Sequence, residues 1–537
     1  MSWQPPENYE PIPNLEQSLR NTQTPEVGSA LFKMVSLVAS GSDVADLGLS
    51  QRQARKAIEN RLVPKQHYKT VERVALGRPP QPHGSERVEL TREFRFLVED
   101  LPAWDPEGST DIEKLDRIAD LAEASFEPAD STDEHAFDNP DIPAGYTYLG
   151  QFIDHDITRD KRDLTDAGSD APPLPLSIRT PALELDSVYG DTPGSGAMYD
   201  GSGRFRIGRG FGDGEIDLPR EKEDDKSHQF NPQQIKPNKA VIGDNRNDEN
   251  LLVAHVHLGF LKFHNKQMDK GADFEEARRE TIHHYQWIVL YDFLAKTCGE
   301  EFVTELVRDP EKRVLNFPQG GEVFMPVEFS MGAYRFGHSM VRPDYELNDP
   351  LTEMAGEIPI FATGNMPLSG LRGGRRLPPN WQLQMDRFFD FKGTNGRGSQ
   401  QSRRIDTKLA PPLVHLPIDV SNERLKSLPF RNLRRGWENG LPSGQDLARH
   451  YKLDVVNGGS HTPLWLYILN EAKHQNGGRR LGTLGAHLVV ETFIGLIENT
   501  GISVLRENWA PATQPFQMPD LLKEAGMPIH RADLPFA

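Results

Sequence analysis

Residues 148–156 read Tyr-Leu-Gly-Gln-Phe-Ile-Asp-His-Asp, and this stretch decides the fold and the site. Gln151 and His155 lie four positions apart, so in a helix their side chains project from one face. Asp154 and Asp156 flank the histidine. A histidine beside acids is often a salt-bridged structural residue, and it can also transfer protons, because imidazole titrates near neutral pH. The local pattern leaves both interpretations open.

A second polar segment, residues 243–249, reads Gly-Asp-Asn-Arg-Asn-Asp-Glu and precedes a long helical pattern. Asn247 and Asp248 are typical helix N-cap residues, so Arg246 is, in one interpretation, a solvated residue of a capping turn. In the other interpretation its guanidinium is a fixed cation that stabilises negative charge developing in a reaction.

Two further segments carry a histidine and an asparagine. Residues 334–341 read Tyr-Arg-Phe-Gly-His-Ser-Met-Val, and residues 430–436 read Phe-Arg-Asn-Leu-Arg-Arg-Gly. His338, with Phe336 and Met340 as neighbours, is either a buried structural histidine or a metal ligand. A metal-bound imidazole needs a partner for its second nitrogen, and an asparagine such as Asn432 can serve.

These segments, in this order, resemble the motifs of the animal-type haem peroxidases, the peroxidase-cyclooxygenase superfamily that includes myeloperoxidase and peroxidasin. The resemblance runs from about residue 141 to residue 505. It implies a peroxidase that binds haem b, with His155 as the distal acid-base group, Arg246 as the distal cation and Gln151 lining the cavity. His338 is implied as the axial iron ligand and Asn432 as its partner.

The resemblance also implies the remaining haem contacts. Asp154 and Glu249 are expected to form esters to the haem, and Arg335 and Arg435 are expected to bind it. In myeloperoxidase a methionine follows the ester glutamate and forms a sulfonium link, whereas this chain has Asn250. We therefore expect at most two covalent links.

The segment 180–190 reads Thr-Pro-Ala-Leu-Glu-Leu-Asp-Ser-Val-Tyr-Gly. It carries oxygen donors at alternating positions, which in an extended loop point to one side and suit calcium. The segment resembles the calcium loop of the family. The resemblance implies five ligands: Asp156, Thr180, the Ala182 carbonyl, Glu184 and Asp186. A charge-rich surface loop is the alternative.

Composition limits the other functions. The chain has 537 residues, a formal net charge of -18 and one cysteine. The charge argues against nucleic acid and anionic membranes as partners, and one cysteine excludes an intramolecular disulfide. With neither a signal-like N-terminus nor a long apolar run, we expect a bacterial protein, cytoplasmic by default, although export without a classical signal stays open.

Periodicity predicts a mainly α protein with long irregular loops and little β structure. Helices are expected at about residues 111–124, 249–270, 274–297 and 483–499, with a short one at 31–39. Residues 1–90 are predicted to be an N-terminal arm outside the resemblance, and residues 91–537 a single haem peroxidase domain.

Hydrogen peroxide and a small electron donor, such as a halide, thiocyanate or an aromatic compound, are the expected substrates. Three alternatives stay open. A haem-dependent fatty-acid dioxygenase of the same superfamily would use a tyrosine three residues before the axial histidine, where this chain has Arg335 and Tyr334 lies one position off. The others are a calcium-dependent binding protein without catalysis and a catalase-like scavenger.

Overall fold

The computed structural model describes residues 90–128, 136–159, 179–210, 214–222, 237–315, 317, 323–361, 370–378, 380–391, 398–418, 420–456 and 461–535. The chain divides into two compact units, residues 1–86 with 189–193 and residues 87–188 with 194–537. The larger unit carries the elements that build the site. The predicted arm, up to residue 89, and the helix predicted at residues 31–39 lie outside the described residues.

Helices dominate the larger unit, which confirms the predicted mainly α fold class. The longer α-helices are α1 Asp111–Ser125, α2 Gly145–Ile157, α3 Leu251–Asp269, α4 Phe274–Ile288, α5 Glu300–Arg308, α6 Asp349–Ala355, α7 Leu428–Glu438, α8 Gly444–His450, α9 Leu464–Asn476, α10 Thr483–Asn499 and α11 Met518–Glu524. Short 3-10 helices cover Asn245–Asp248, Pro310–Lys312, Ala333–Met340, Met385–Arg387, Glu423–Lys426 and Arg531–Asp533. Single turns of α-helix cover Asp186–Tyr189 and Pro411–Val414.

Strands in the described part form only short two-stranded pairs. Leu90–Arg95 pairs in parallel with Val323–Pro326, and Glu127–Pro128 with Lys408–Leu409. The antiparallel pairs are Asp138–Pro143 with Gln401–Arg403, Gly208–Arg209 with Glu215–Asp217, and Asp344–Tyr345 with Ile358–Pro359. Sheets this small cannot cover a core, so the helices supply it.

The core lies where α2, α3 and α4 pack together and around α10. Nearly every residue of α10 is buried, and its first amide groups, at Leu484 and Gly485, donate to the buried carboxylate of Glu471. Phe152 of α2 stacks on Phe260 of α3 with ring centroids 4.8 Å apart. Burying these apolar faces is the main driving force for the assembly.

Two predicted helices are less regular than the periodicity indicates. The helix predicted to reach Thr297 is α-helical only to Ile288 and continues as π-helical turns over Val289–Phe293 and Ala295–Gly299. Asp292, in the first of these turns, accepts hydrogen bonds from the Tyr146 hydroxyl and the Met518 amide, both at 2.8 Å. The irregular turn therefore joins the start of α2 to the start of α11.

The stretch with His338 is the second case. A π-helical turn, Glu328–Gly332, leads into the 3-10 helix Ala333–Met340. The side chain of Leu464 in α9 lies 2.7 Å from where a Cβ on Gly332 would stand, so a larger residue at position 332 would require that side chain to shift. Within the described residues, no helix combines the length and apolar character needed to cross a membrane.

Candidate active site

His155 lies in the last turn of α2 and is only 6% exposed. Its Nδ1 lies 2.8 Å from Oδ1 of Asn247, a residue 92 positions away. Because an amide oxygen only accepts, Nδ1 carries the proton and Nε2 keeps a free lone pair. Burial, followed by the charge of Arg246, lowers the pKa of His155 to about 4. The ring is therefore a neutral base at pH 7.

Arg246 holds the end of α2. Its Nη2 donates to the carbonyl oxygens of His155 at 2.9 Å and Thr158 at 2.7 Å. The same group pairs with the fully buried carboxylate of Asp244 at 2.9 Å. Burial opposes ionisation of Asp244, but the hydrogen bonds and charge of Arg246 hold its pKa below the usual range. Arg246 is thus a fixed cation next to His155.

Gln151, Glu249 and Asn250 form a hydrogen-bonded group beside His155. Gln151 Nε2 donates to Glu249, and Asn250 Nδ2 donates to Gln151 Oε1 at 3.1 Å. Glu249 Oε1 lies 4.0 Å from His155 Nε2. Desolvation by the surrounding protein, opposed by the charge of Arg246, raises the pKa of Glu249 to about 7, although its side chain is 52% exposed. The free nitrogen of His155 and this carboxylate therefore face the same space.

Asn250 and Asp244, not Asn247 or Asp248, cap the two helical segments after residue 243. Asn250 Oδ1 accepts hydrogen bonds from the amides of Leu252 and Val253 at the start of α3. Asp244 caps the 3-10 turn Asn245–Asp248. The interpretation of Asn247 as a cap is therefore wrong, because its side chain points into the protein at His155.

His338 pairs with Asn432 of α7. His338 Nδ1 lies 2.8 Å from the Asn432 amide nitrogen. The ring binds a metal through Nε2 only when Nδ1 carries the proton. Asn432 could then accept the Nδ1–H hydrogen bond only if its amide turned over, which would also end the contact of its Oδ1 with Arg335. Burial, followed by the charges of Arg335, Arg435 and Arg431, lowers the pKa of His338 to about 3. The imidazole is neutral, as a metal ligand must be.

The two halves of the site are in contact. The 3-10 helix with His338 packs against α2, and the Tyr334 hydroxyl donates to the Gly150 carbonyl of α2 at 3.2 Å. Arg335 donates to Asn432 Oδ1 at 3.5 Å, and its carbonyl accepts from Trp465 Nε1 at 3.1 Å. The structure thus brings together the segments with Gln151, His155, Arg246, Glu249, His338 and Asn432.

The other predicted haem contacts lie on the same elements. Asp154 Oδ1 accepts a hydrogen bond from the Thr158 hydroxyl at 2.9 Å, one turn further along the chain. Arg435, on α7 with Asn432, contributes positive charge near His338. Positive charge at this position suits the carboxylate side chains of a porphyrin.

The predicted calcium ligands converge only in part. The Thr180 hydroxyl donates to Asp186 Oδ2 at 2.6 Å, and the buried Asp156 accepts the amides of Leu185 and Ser187. Burial, followed by the charge of Asp186, raises the pKa of Asp156 to about 7. Glu184 is directed elsewhere, because its Oε1 accepts from Thr500 and Gly501. In the described residues, no three His, Cys, Asp or Glu side chains form a metal-binding group.

Comparison with known proteins agrees with this architecture. The chain shares its fold with rice (Oryza sativa) fatty acid alpha-dioxygenase, with a TM-score of 0.50, 13% identity, and coverage of 97% of this chain and 95% of that one. Peroxidase A from Dictyostelium discoideum aligns at a TM-score of 0.47 and 15% identity, over 84% of this chain and 96% of that one. Likeness at this identity concerns the fold alone.

Sequence comparison gives the family. The model of the animal haem peroxidase family matches residues 159–458, more than half of the chain, and the chain belongs to this family. The match includes Arg246, His338 and Asn432, whereas His155 lies just before it. A "Peroxidase-like protein" of Margaritifera margaritifera is 24% identical over 232 residues, which are 37% of this chain and 26% of that relative. The chain therefore spans about a quarter of that relative's length.

Proposed function

We propose that this chain is a haem peroxidase that reduces hydrogen peroxide and oxidises a small donor, such as a halide, thiocyanate or an aromatic compound. The observation that carries the proposal is a pair of buried, neutral imidazoles on two elements that pack against each other. His155 is oriented by Asn247 so that its Nε2 is a free base, and His338 is paired with Asn432. Haem, when bound, supplies the iron at which peroxide is reduced.

The residues present fit a haem. His338 would hold the haem iron, and Asn432 would support its ring. Arg335 and Arg435 would pair with the porphyrin carboxylates. His155 Nε2 takes a proton from one peroxide oxygen and returns it to the departing oxygen. Arg246 places a positive charge beside this transfer. Two electrons from the donor and two protons complete the reduction of one peroxide to two waters.

Asp154 and Glu249 are the proposed ester sites. Glu249 supports this role best, because its side chain is half exposed beside Gln151 and its raised pKa keeps part of the carboxyl population protonated at pH 7. Asn250 cannot form a sulfonium link, and its side chain caps α3 instead.

Tyr334 separates the peroxidase from the dioxygenase alternative. A tyrosine that is oxidised to a radical must release its phenolic proton, and a backbone carbonyl is a poor proton acceptor. The Tyr334 hydroxyl donates to the Gly150 carbonyl, and the rings of Phe293, Phe329, Phe336 and Phe493 surround it. This environment favours a structural role for Tyr334.

Tyr334→Phe is therefore expected to leave peroxide-dependent dye oxidation unchanged, because it removes one hydrogen bond of about 1 kcal/mol. The measurement is steady-state oxidation of a chromogenic aromatic donor by the purified, haem-containing protein. Oxygen consumption with a long-chain fatty acid that stops in Tyr334→Phe would establish the dioxygenase. Oxygen release from peroxide without a donor would establish the catalase-like scavenger, and a colourless protein after growth with ample iron would establish a non-haem function.

We also propose a calcium ion at Asp156, Asp186, the Thr180 hydroxyl and the Ala182 carbonyl. The support is the buried position of Asp156 next to a second carboxylate, because a cation between them would offset their repulsion. The direction of Glu184 toward Thr500 leaves its predicted ligation without support from these contacts. The ion would tie the loop to the end of α2, which carries His155.

Metal analysis of the desalted protein is expected to find calcium in the wild type and to find it lost in Asp186→Asn, because the substitution removes a charged oxygen ligand. Asp200→Asn is the matched control, since Asp200 is exposed and its carboxylate accepts hydrogen bonds from Ser202 in the same turn. Wild-type protein that holds no calcium after dialysis against millimolar calcium and desalting would contradict the site.

A further inference from the structure

Asn247 and His257 form a hydrogen-bonded chain behind His155. Asn247 Oδ1 lies 2.8 Å from His155 Nδ1, and Asn247 Nδ2 lies 3.0 Å from His257 Nδ1. Asn247 and His257 are fully buried. The chain links the turn before α3, the end of α2 and the second turn of α3.

The direction of the hydrogen bonds follows from the orientation of the Asn247 amide, whose oxygen faces His155 and whose NH₂ group faces His257. The amide NH₂ only donates, so His257 Nδ1 accepts. Burial lowers the pKa of His257 to about 3, which keeps the ring neutral, so one ring nitrogen is unprotonated, and the facing NH₂ group places that nitrogen at Nδ1. With its NH₂ held by His257, the Asn247 amide must present its oxygen to His155.

We propose that Asn247, held by His257, is a positioning residue that fixes the proton of His155 on Nδ1 and so keeps Nε2 available as the base. This inference rests on the proposed function, in which His155 receives the proton of the incoming peroxide. A His155 ring in the other tautomer would carry its proton on Nε2 and would repel a ligand that must deliver one.

His257 lies in the interior and touches α2 through Phe152, whose ring centroid is 5.9 Å away. Its Nε2 is buried and has no hydrogen-bond partner among the described residues. A buried polar atom without a partner costs stability, so a purely structural histidine here is unfavourable. A histidine at this position is explained if its Nδ1 is needed as the hydrogen-bond acceptor for the Asn247 amide.

Cyanide binding tests the proposal without turnover. Hydrogen cyanide gives up its proton when it binds ferric haem, so its association rate reports whether Nε2 of His155 is a free base. Asn247→Leu removes the acceptor while keeping the branching of the side chain and is expected to slow cyanide association by about ten- to a hundred-fold. Asn247→Asp keeps an acceptor oxygen and is expected to restore the wild-type rate.

Carbon monoxide binding to the ferrous protein is the matched measurement, because this ligand delivers no proton, and its rate is expected to stay unchanged in each variant. Asn245→Leu is the control substitution in the same turn, where the side chain is exposed and bonds to Arg159. His257→Phe frees the Asn247 amide to rotate and is expected to slow cyanide association. This variant provides the test if Asn247→Leu does not fold.

A wild-type cyanide rate in Asn247→Leu and His257→Phe, with a slow rate in His155→Ala, would overturn the role of Asn247 and leave the proposed function intact. A wild-type rate in His155→Ala as well would overturn both. Equal loss of cyanide and carbon monoxide binding would show a collapsed site and would also overturn the specific effect on the proton.

Discussion

His155→Ala is expected to slow the reaction of the haem-containing protein with hydrogen peroxide by about 10²–10⁴-fold, the usual contribution of a positioned acid-base group. The reason is the loss of the only neutral base that the described structure places between Arg246 and Glu249. The measurement is stopped-flow absorbance in the Soret region after mixing with peroxide. Haem content is expected to stay at the wild-type level, because His338 lies on another element.

His474→Ala is the control for this experiment, since His474 is exposed near the end of α9 and surface substitutions of this kind usually have small effects. Unchanged peroxide kinetics in His155→Ala would remove His155 from the mechanism. Loss of haem together with activity would instead assign it a structural role.

His338→Ala is expected to abolish haem binding, so that the purified protein lacks a Soret band. Iron loses its proposed protein ligand, and burial of an apolar porphyrin alone does not replace the coordinate bond. Because an ester forms only on a porphyrin already in place, no covalently attached haem is expected either. The pyridine haemochrome assay of the purified variant measures this directly.

Asn432→Leu is a milder substitution at the same site. It is expected to weaken haem binding by about ten- to a hundred-fold, because the His338 ring loses the partner of its Nδ1. Imidazole added to His338→Gly is expected to restore haem uptake in part. A full Soret band in His338→Ala would refute the axial assignment.

Extraction of the wild-type protein with acidified solvent tests the esters, since haem that leaves the polypeptide would refute them.

Local sequence predicted the regular helices well. The helix predicted at residues 483–499 is observed as Thr483–Asn499, and α1 and α3 agree within two residues at each end. Their apolar residues recur at helical spacing, so burial of one face selects the helix. The π-helical turns after Ile288 and the 3-10 helix at His338 depend on close contacts with α2, α9 and α11, and periodicity carries no signal for such contacts.

In the candidate site, too, some features follow from the sequence and others depend on contacts between distant segments. The resemblance implies His155, Arg246, His338 and Asn432 as site residues. The structure pairs Arg246 with the end of α2 and Asn432 with His338, and the segments of the two histidines are in contact. The resemblance implies no role for Asn247, which is typical of a helix N-cap, or for His257. No spacing rule connects Asn247 with a histidine 92 positions earlier. One sequence signal was available for Asn247. Because Asn250 can cap the following helix, Asn247 is a second polar residue in the same turn without a capping role.

The sequence by itself determined the family, the helical class and the chemical types of the site residues, because these depend on residue order and local periodicity. Only the tertiary structure decided which nitrogen of His155 is free and what Arg246 holds. It also directed Glu184 away from Asp156. These properties arise from hydrogen bonds between distant segments, and their geometry exists only after the helices have packed.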